Sequence, residues 1–296
     1  MQLSWLQKLL AHPLTRDLSV DDPRATARRR RIIQEKAFLR KLYAEWYDKL
    51  IAALPDGTKT PGKVLEIGSG GGFFKNELPS CITSEVFALP GIDLILDGQH
   101  LPFASSSLRA IVMVDTLHHI PNPGLFFAEA QRAVKEGGRI IMLEPWNSAW
   151  GRWVYRHLHH EPFVPDAADW TLTGITQAGP LSRANGAIPW IVFSRERDHF
   201  EHCFPGLMII SIHPDYPFSY LASGGVALRT LVPGWSFRLW RSLEWALRPF
   251  MSRLAMFALI IVERTALNDV HRARLRENNR QPVDLPFEAL RDADAM

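Results

Sequence analysis

The sequence predicts an α/β protein built on a doubly wound, mainly parallel sheet, and three observations lead to this fold class. An apolar run, Val64 to Ile67, enters a glycine-rich turn at residues 68–72. Further apolar runs follow, and several of them end close to a carboxylate. Helical patterns separate the runs, and this alternation is typical of parallel sheets that carry helices on both faces. Because such sheets bind ligands at the carboxyl ends of their strands, these carboxylates are candidate binding groups.

The glycine-rich turn has the pattern E-x-G-x-G-x-G, which begins at Glu66 and includes Gly68, Ser69 and Gly70. A dinucleotide fingerprint requires a third glycine where Phe73 stands, and the P-loop pattern also fails. Glycine in such a turn permits positive φ and lets a ligand approach the backbone. The turn therefore predicts a nucleotide-like ligand, although an ordinary strand-to-helix turn of another α/β protein remains the alternative for this pattern alone.

Acidic residues close the apolar runs that follow the turn. Glu85 ends the second run, where a carboxylate can accept both hydroxyls of an adenosine ribose. Asp97, followed by Gly98, ends the third run and can accept the adenine amino group. Asp115 ends the fourth run, and Glu144 stands near the end of the fifth. Five carboxylates on one rim of the sheet indicate a binding site rather than a core.

Three segments in succession strengthen this interpretation: D-x-x-x-L-P-F from Asp97, V-x-V-D-x-L-x-H-I-P from Val112, and G-G-R-I-I-M-L-E-P from Gly137. In this combination, residues 60–146 closely resemble the type-11 branch of class I S-adenosylmethionine (SAM) dependent methyltransferases, which includes quinone-biosynthesis enzymes. The resemblance implies a Rossmann-like seven-stranded sheet that closes with an antiparallel pair. It also implies SAM as cofactor, held by Glu66, Gly68, Ser69, Gly70, Glu85, Asp97, Gly98 and Asp115.

The chain divides into three predicted parts. Residues 1–60 form an N-terminal helical segment, with a helix start at Asp22-Pro23. Residues 61–265 form the methyltransferase domain, in which an insertion at about 147–205, between strands 5 and 6, is predicted to cover the substrate. A charged C-terminal tail occupies 266–296. Arg28 to Arg31 are predicted to form a solvated face, with an anionic partner as the alternative.

Histidines are the candidate catalytic residues, because imidazole titrates near neutral pH without perturbation. His118 and His119 follow the fourth strand. The resemblance gives His119 a counterpart in the family, so His118 is predicted as the leading general base, with histidines 157–160 as competitors. No metal site is predicted, because the spacing of His157 to Glu161 and of His199 to Cys203 fits no compact zinc signature.

Composition narrows the compartment and the partners. The 296 residues are 47% hydrophobic and hold two cysteines, which favours a reducing, cytoplasmic compartment. We expect no secretory signal and no spanning segment, since the longest apolar run, Leu254 to Val262, is too short. The small net charge of +3 gives no indication of nucleic acid. An aromatic amphipathic stretch from Trp235 to Phe250 is predicted to pack on the sheet, and peripheral membrane contact is the alternative.

The sequence thus predicts a SAM-dependent methyltransferase that methylates an oxygen of a small, carrier-linked or lipid-linked molecule. Methylation of an activated carbon is the first alternative. A nicotinamide-dependent oxidoreductase and a non-catalytic SAM-binding protein are the others. The oligomeric state and the identity of the acceptor are not determined by these patterns.

Overall fold

The fold is centred on one mixed sheet, and the computed structural model describes residues 12–14, 18–159, 161–172 and 179–266. The strands are β1 Lys63–Ile67, β2 Ile82–Glu85, β3 Leu94–Ile95, β4 Leu108–Val114, β5 Val134–Pro145, β6 Leu207–Asp215 and β7 Phe257–Arg264. Their order across the sheet is β3-β2-β1-β4-β5-β7-β6. Strands β1 to β5 are parallel, whereas β7 runs antiparallel to both of its neighbours. The predicted seven-stranded Rossmann-like sheet is therefore confirmed.

Helices connect and cover these strands. They are α1 Pro23–Glu35, α2 Ala37–Ala52, α3 Phe74–Glu77, α4 Pro123–Ala133, α5 Ala149–Leu158, α6 Ile188–Trp190, α7 Arg197–Cys203, α8 Ser219–Ser223, α9 Phe237–Ala246 and α10 Met251–Leu254. A 3-10 turn, Leu117–His119, follows β4, and a π-helical turn, Ile191–Arg195, follows α6. Helix α4 ends at Ala133, because Val134 already pairs with Leu108 in the sheet.

The N-terminal segment forms two helices with a break between them at Lys36. The predicted start at Asp22 is confirmed, since its carboxylate caps the backbone N–H of Arg24 at 2.8 Å. The backbone of Lys36 is extended, and its buried Nζ donates to the carbonyl oxygens of Gly225 and Leu228 at 2.6 and 3.0 Å. Burial lowers the pKa of Lys36 to about 8. This lysine ties the helical segment to the loop that follows α8.

Helix α9 and its flanks pack only in part as the sequence predicts, because Phe237 and Leu247 contact the core while other apolar side chains of the stretch stay exposed. Trp235 is 74% exposed, Trp245 is 68% exposed, and Leu239, Leu243 and Phe250 are also exposed. The packed side of α9 carries Phe237, whose ring centroid lies 5.2 Å from that of Phe38, and the buried Glu244, which bonds to the start of α8. Within the part of the chain that the structure describes, no helix is both long and apolar enough to cross a membrane. The predicted tail lies outside the described residues from residue 267 onward.

Candidate active site

A cavity of about 260 Å³ opens at the carboxyl ends of the parallel strands β1 to β4. It lies where the strand order reverses between β1 and β4, which is the usual ligand position in doubly wound sheets. The predicted site residues that line it are Glu66, Gly68, Gly70, Glu85, Asp97, Gly98, Asp115 and His119. Two others, Ser69 and His118, are close to the cavity but not part of its lining.

The glycine turn brings backbone to the cavity wall. Gly68 has φ +74°, and a β-carbon there would lie 2.4 Å from Thr116 Oγ1. The N–H of Gly70 donates to Glu85 Oε2 at 3.0 Å, and a β-carbon at this position would lie 2.5 Å from the same oxygen. Ser69 holds the turn from behind, because its Oγ accepts the N–H of Ser84 at 3.1 Å. Side chains at positions 68 and 70 would collide with these neighbours, so the turn requires glycine at both positions.

Two buried carboxylates stand beside the turn. Burial raises the pKa of Glu66 to about 7, and the nearby Glu85 contributes in the same direction. Burial also raises the pKa of Glu85, against the backbone N–H groups of Val86 and Gly70 that donate to it. Each carboxylate is therefore costly to ionise, and a cationic or hydroxyl-bearing ligand would compensate this cost.

Asp97 and Asp115 complete the acidic rim from the next strands. Asp97 is exposed, and its carboxylate accepts the backbone and side-chain N–H groups of Gln99 at 2.9 to 3.1 Å. Asp115 has a φ of +55°, which is strained for a residue with a side chain. Backbone strain of this kind is commonly retained at functional sites. The strain turns the chain away from β4 into the 3-10 turn that carries both histidines.

His118 is fully buried behind the cavity wall. Its Nδ1 lies 2.9 Å from Oε2 of Glu144, whose Oε1 accepts the N–H groups of Thr116 and Leu117 at 2.8 Å. Burial alone would lower the pKa of His118, but the hydrogen bond to Glu144 and the nearby carboxylate of Glu161 outweigh it and raise the pKa well above 6.5. His118 as a general base stays a prediction, and direct contact with an acceptor would require its enclosed ring to move.

His119, by contrast, lines the cavity together with His159 and Glu161. Burial lowers the pKa of His119 to about 3, and the adjacent His118 adds to the effect. Burial raises the pKa of Glu161, but the surrounding histidines outweigh it and bring the pKa well below its usual value. This end of the cavity therefore presents a neutral imidazole next to an ionised carboxylate. His160 lies outside the described residues.

Sequence reasoning missed the contribution of the N-terminal helices to the cavity. Thr26 and Arg29 of α1 line it, and so do Tyr43 and Tyr47 of α2. Both tyrosines follow the helical apolar repeat, so the pattern alone assigns them to the core. Arg29 belongs to the basic run that was predicted to be solvated, yet it brings a positive charge to the acidic rim. A cavity lined by both charge signs suits a zwitterionic ligand.

Comparisons with known proteins agree with this geometry. A family model described as a methyltransferase domain matches residues 36–191, which is more than half of the chain. The chain belongs to this methyltransferase family. It is a class I enzyme that uses SAM as its cofactor. The comparison with curated proteins finds no match.

Solved structures of methyltransferases are similar in fold. Geranyl diphosphate C-methyltransferase from Streptomyces coelicolor A3(2) is 13% identical, over 86% of this chain and 89% of that chain, with a TM-score of 0.44. A geranyl diphosphate methyltransferase in complex with SAM is 16% identical, over 86% and 96%, with a TM-score of 0.45. A SAM-dependent methyltransferase from Methanosarcina mazei is 16% identical, over 70% and 93%, with a TM-score of 0.39.

Proposed function

We propose that this methyltransferase transfers the methyl group of SAM to a hydroxyl oxygen of a small or lipid-linked molecule. The observation that carries the proposal is the division of the cavity into two chemically different ends. One end holds the glycine turn with Glu66 and Glu85, and the other holds His119 and Glu161. The first end suits a cationic cofactor with ribose hydroxyls, and the second suits an acceptor that must lose a proton.

In the proposed cofactor complex, each residue of the acidic rim has a separate role. Glu85 accepts the ribose hydroxyls while it continues to support the turn through the N–H of Gly70. Glu66 faces the ammonium group of the methionine moiety, and Arg29 faces its carboxylate. Asp97 accepts the adenine amino group. These pairings place opposite charges together in a mostly enclosed cavity, where they are stronger than in water.

At the acceptor end, we propose that His119 rather than His118 contacts the acceptor, because only His119 lines the cavity. Methyl transfer is an in-line displacement, so the acceptor oxygen must stand behind the sulfonium methyl group. Holding two reactants in this arrangement can contribute about 7–11 kcal/mol to catalysis. The insertion supplies part of the wall through His159, Glu161, Pro180 and Leu181, which supports its predicted role in covering the substrate.

The decisive experiment for this proposal uses SAM that carries a deuterated methyl group. Purified protein is incubated with lipid and aqueous extracts of cells that lack the gene, and labelled products are isolated by mass spectrometry. Heating a labelled product in hydriodic acid releases an O-methyl group as methyl iodide, whereas a C-methyl group stays in the molecule. Release of labelled methyl iodide is the expected result. Retention of the label would replace oxygen with carbon as the acceptor atom.

We further propose that the exposed face of α9 rests on a membrane surface, which would bring the enzyme to a lipid-linked acceptor. Trp235, Leu239 and Trp245 are all exposed on α9 and its N-terminal flank, and Arg238 is exposed among them. Tryptophan suits the boundary between headgroups and acyl chains, and arginine is attracted to anionic lipids. So many exposed large apolar side chains in one short stretch are uncommon on a protein surface that contacts only water.

The opposite side of α9 connects this face to the cavity. Glu244 is fully buried and accepts the N–H groups of Phe218 and Ser219 at 2.8 and 2.6 Å. These bonds hold the start of α8, and Tyr220 of α8 lines the cavity. A helix that lies on a lipid surface would therefore be one element away from the acceptor.

Vesicle flotation tests the membrane proposal. Wild-type protein should float with anionic vesicles, and Trp235→Ser combined with Leu239→Ser should remove this binding. The matched control replaces Met208 and Ile210 with serine, because they are also exposed apolar residues but lie on β6. The control should float like the wild type. If the wild type floats with neither anionic nor neutral vesicles, the membrane proposal is wrong.

A further inference from the structure

A compact group of possible metal ligands lies at the acceptor end of the cavity. His118, His119 and Glu161 each present one donor atom, and the three atoms lie within 4.8 Å of one another. His118 Nε2 is 3.4 Å from Glu161 Oε2, and His119 Nε2 is 3.8 Å from Glu161 Oε1. The two histidines and the glutamate are about 40 residues apart in sequence, so only the fold brings them together.

These separations are longer than those of direct hydrogen bonds. Imidazole and carboxylate that share a proton approach to about 2.7–3.0 Å. His118 makes such a contact on its other side, where Nδ1 is 2.9 Å from Glu144. Ligands bound at about 2.1 Å to one tetrahedral ion are about 3.4 Å apart. The 3.4 Å between His118 Nε2 and Glu161 Oε2 matches this separation, and one donor atom from each of the three residues lies within 4.8 Å of the others.

Glu144 lies behind His118 in the position of the carboxylate that orients a histidine ligand in many metal sites. A metal-bound histidine usually donates its other ring N–H to a carboxylate or a carbonyl, which fixes the tautomer. Glu144 is fully buried and can accept from Nδ1 of His118, which directs Nε2 toward Glu161, where a bound ion would replace the second ring proton. Glu144 is itself held by two backbone N–H groups, so the ring is fixed before any ion binds.

We propose that His118, His119 and Glu161 bind one divalent cation of the zinc type. Two imidazoles and one carboxylate form a donor set that catalytic zinc sites use, with a further position left for a water or a substrate. Asp115 Oδ1 lies 3.9 Å from His118 Nε2, and His159 Nδ1 lies 3.9 Å from Glu161 Oε2, so both stand at the edge of the site. His119, Glu161, Asp115 and His159 all line the cavity, which leaves the ion open to an acceptor.

This inference rests on the proposed function, to which it adds a cation held between His119 and the acceptor hydroxyl. A cation lowers the pKa of a bound hydroxyl group, so the acceptor can release its proton to solvent near neutral pH. The oxygen then forms its bond to the methyl carbon while the bond from that carbon to sulfur breaks. The electron pair of the broken bond stays on sulfur, and the products are a methyl ether and neutral S-adenosylhomocysteine.

Metal titration of untagged, chelator-treated protein tests the site. Calorimetry with Zn²⁺ should find one ion for each chain, and Co²⁺ should give the visible absorption of a tetrahedral complex. His119→Ala and Glu161→Gln should each abolish this binding. Glu144→Gln leaves the three ligands in place and should weaken it about 10–100-fold, as the loss of an orienting carboxylate does elsewhere. His213→Ala removes an exposed histidine on β6 and should change nothing.

Binding of S-adenosylhomocysteine, measured on the same samples, separates the two claims. Variants that bind this product normally are folded, so their loss of Zn²⁺ reports on the metal site. The inference is overturned if the wild type binds neither Zn²⁺ nor Co²⁺, or if His119→Ala and Glu161→Gln bind them as well as the wild type does. Failure to bind S-adenosylhomocysteine would instead count against the proposed function.

Discussion

Replacing Glu66 with glutamine should stabilise the protein at alkaline pH, because this buried carboxylate is costly to ionise. Glu66 is only 4% exposed, and burial raises its pKa from 4.5 to about 7. Between these two values the folded protein holds a proton that the unfolded chain has lost. The free energy of unfolding therefore falls as the pH rises from about 4.5 to about 7. Above pH 7 the carboxylate of Glu66 is ionised in the folded protein too, and the full loss in free energy of unfolding is reached.

The magnitude follows from the same two values. Each unit of difference in pKa corresponds to about 1.4 kcal/mol, so Glu66 destabilises the wild type by about 3 kcal/mol above pH 7. Glutamine resembles the protonated acid in shape and cannot ionise. Glu66→Gln should thus match the wild type near pH 4 and exceed its free energy of unfolding by up to about 3 kcal/mol at pH 8.

Urea denaturation of the wild type and Glu66→Gln at several pH values measures this difference directly. Other groups titrate in both proteins, so the difference between the two curves isolates Glu66. Glu201→Gln serves as the control, because Glu201 is exposed, and losing its surface ion pair with Arg197 should cost at most about 1 kcal/mol. A difference for Glu66→Gln that is constant with pH, or a variant that is less stable at pH 8, would refute the reasoning.

Two further substitutions test the turn and its support. Gly70→Ala should weaken the binding of S-adenosylhomocysteine, measured by calorimetry, more than tenfold, because the added carbon would lie 2.5 Å from both Glu85 Oε2 and Thr26 Cγ2. Unchanged binding would mean that the turn does not face the cofactor. Tyr47→Phe should lower the free energy of unfolding by about 1–2 kcal/mol, because the hydroxyl accepts the N–H of Phe73 at 3.1 Å. An unchanged free energy of unfolding in urea denaturation would mean that water replaces this bond.

The cofactor end of the cavity could be predicted from the sequence because its residues lie at strand ends. A parallel sheet brings the carboxyl ends of its strands to one edge, so carboxylates that follow successive apolar runs must meet there. Glu66, Glu85, Asp97 and Asp115 accordingly line one cavity. Their distance along the chain did not matter, since the order of strands alone brought them together.

The acceptor end could not be predicted in the same way, because it depends on side chains from the insertion and the N-terminal helices. His159 and Glu161 follow α5 in an irregular segment, and no periodicity relates them to His119. Lys36 interrupts the N-terminal helix through bonds to carbonyl groups almost 190 residues away. The exposed face of α9 was misassigned, because an amphipathic pattern identifies an apolar side without indicating what covers it.

The central claim is that the cavity between the glycine turn and the acidic rim binds SAM, and calorimetry with S-adenosylhomocysteine tests it most directly. Wild-type protein should bind this ligand at one site and should not bind a nicotinamide dinucleotide. Glu85→Ala should weaken the binding by about 1.5–3 kcal/mol, the range for a hydrogen bond to a charged group. Glu201→Ala, an exposed control, should bind like the wild type. Unaltered binding by Glu85→Ala, or preference for the nicotinamide dinucleotide, would contradict the account.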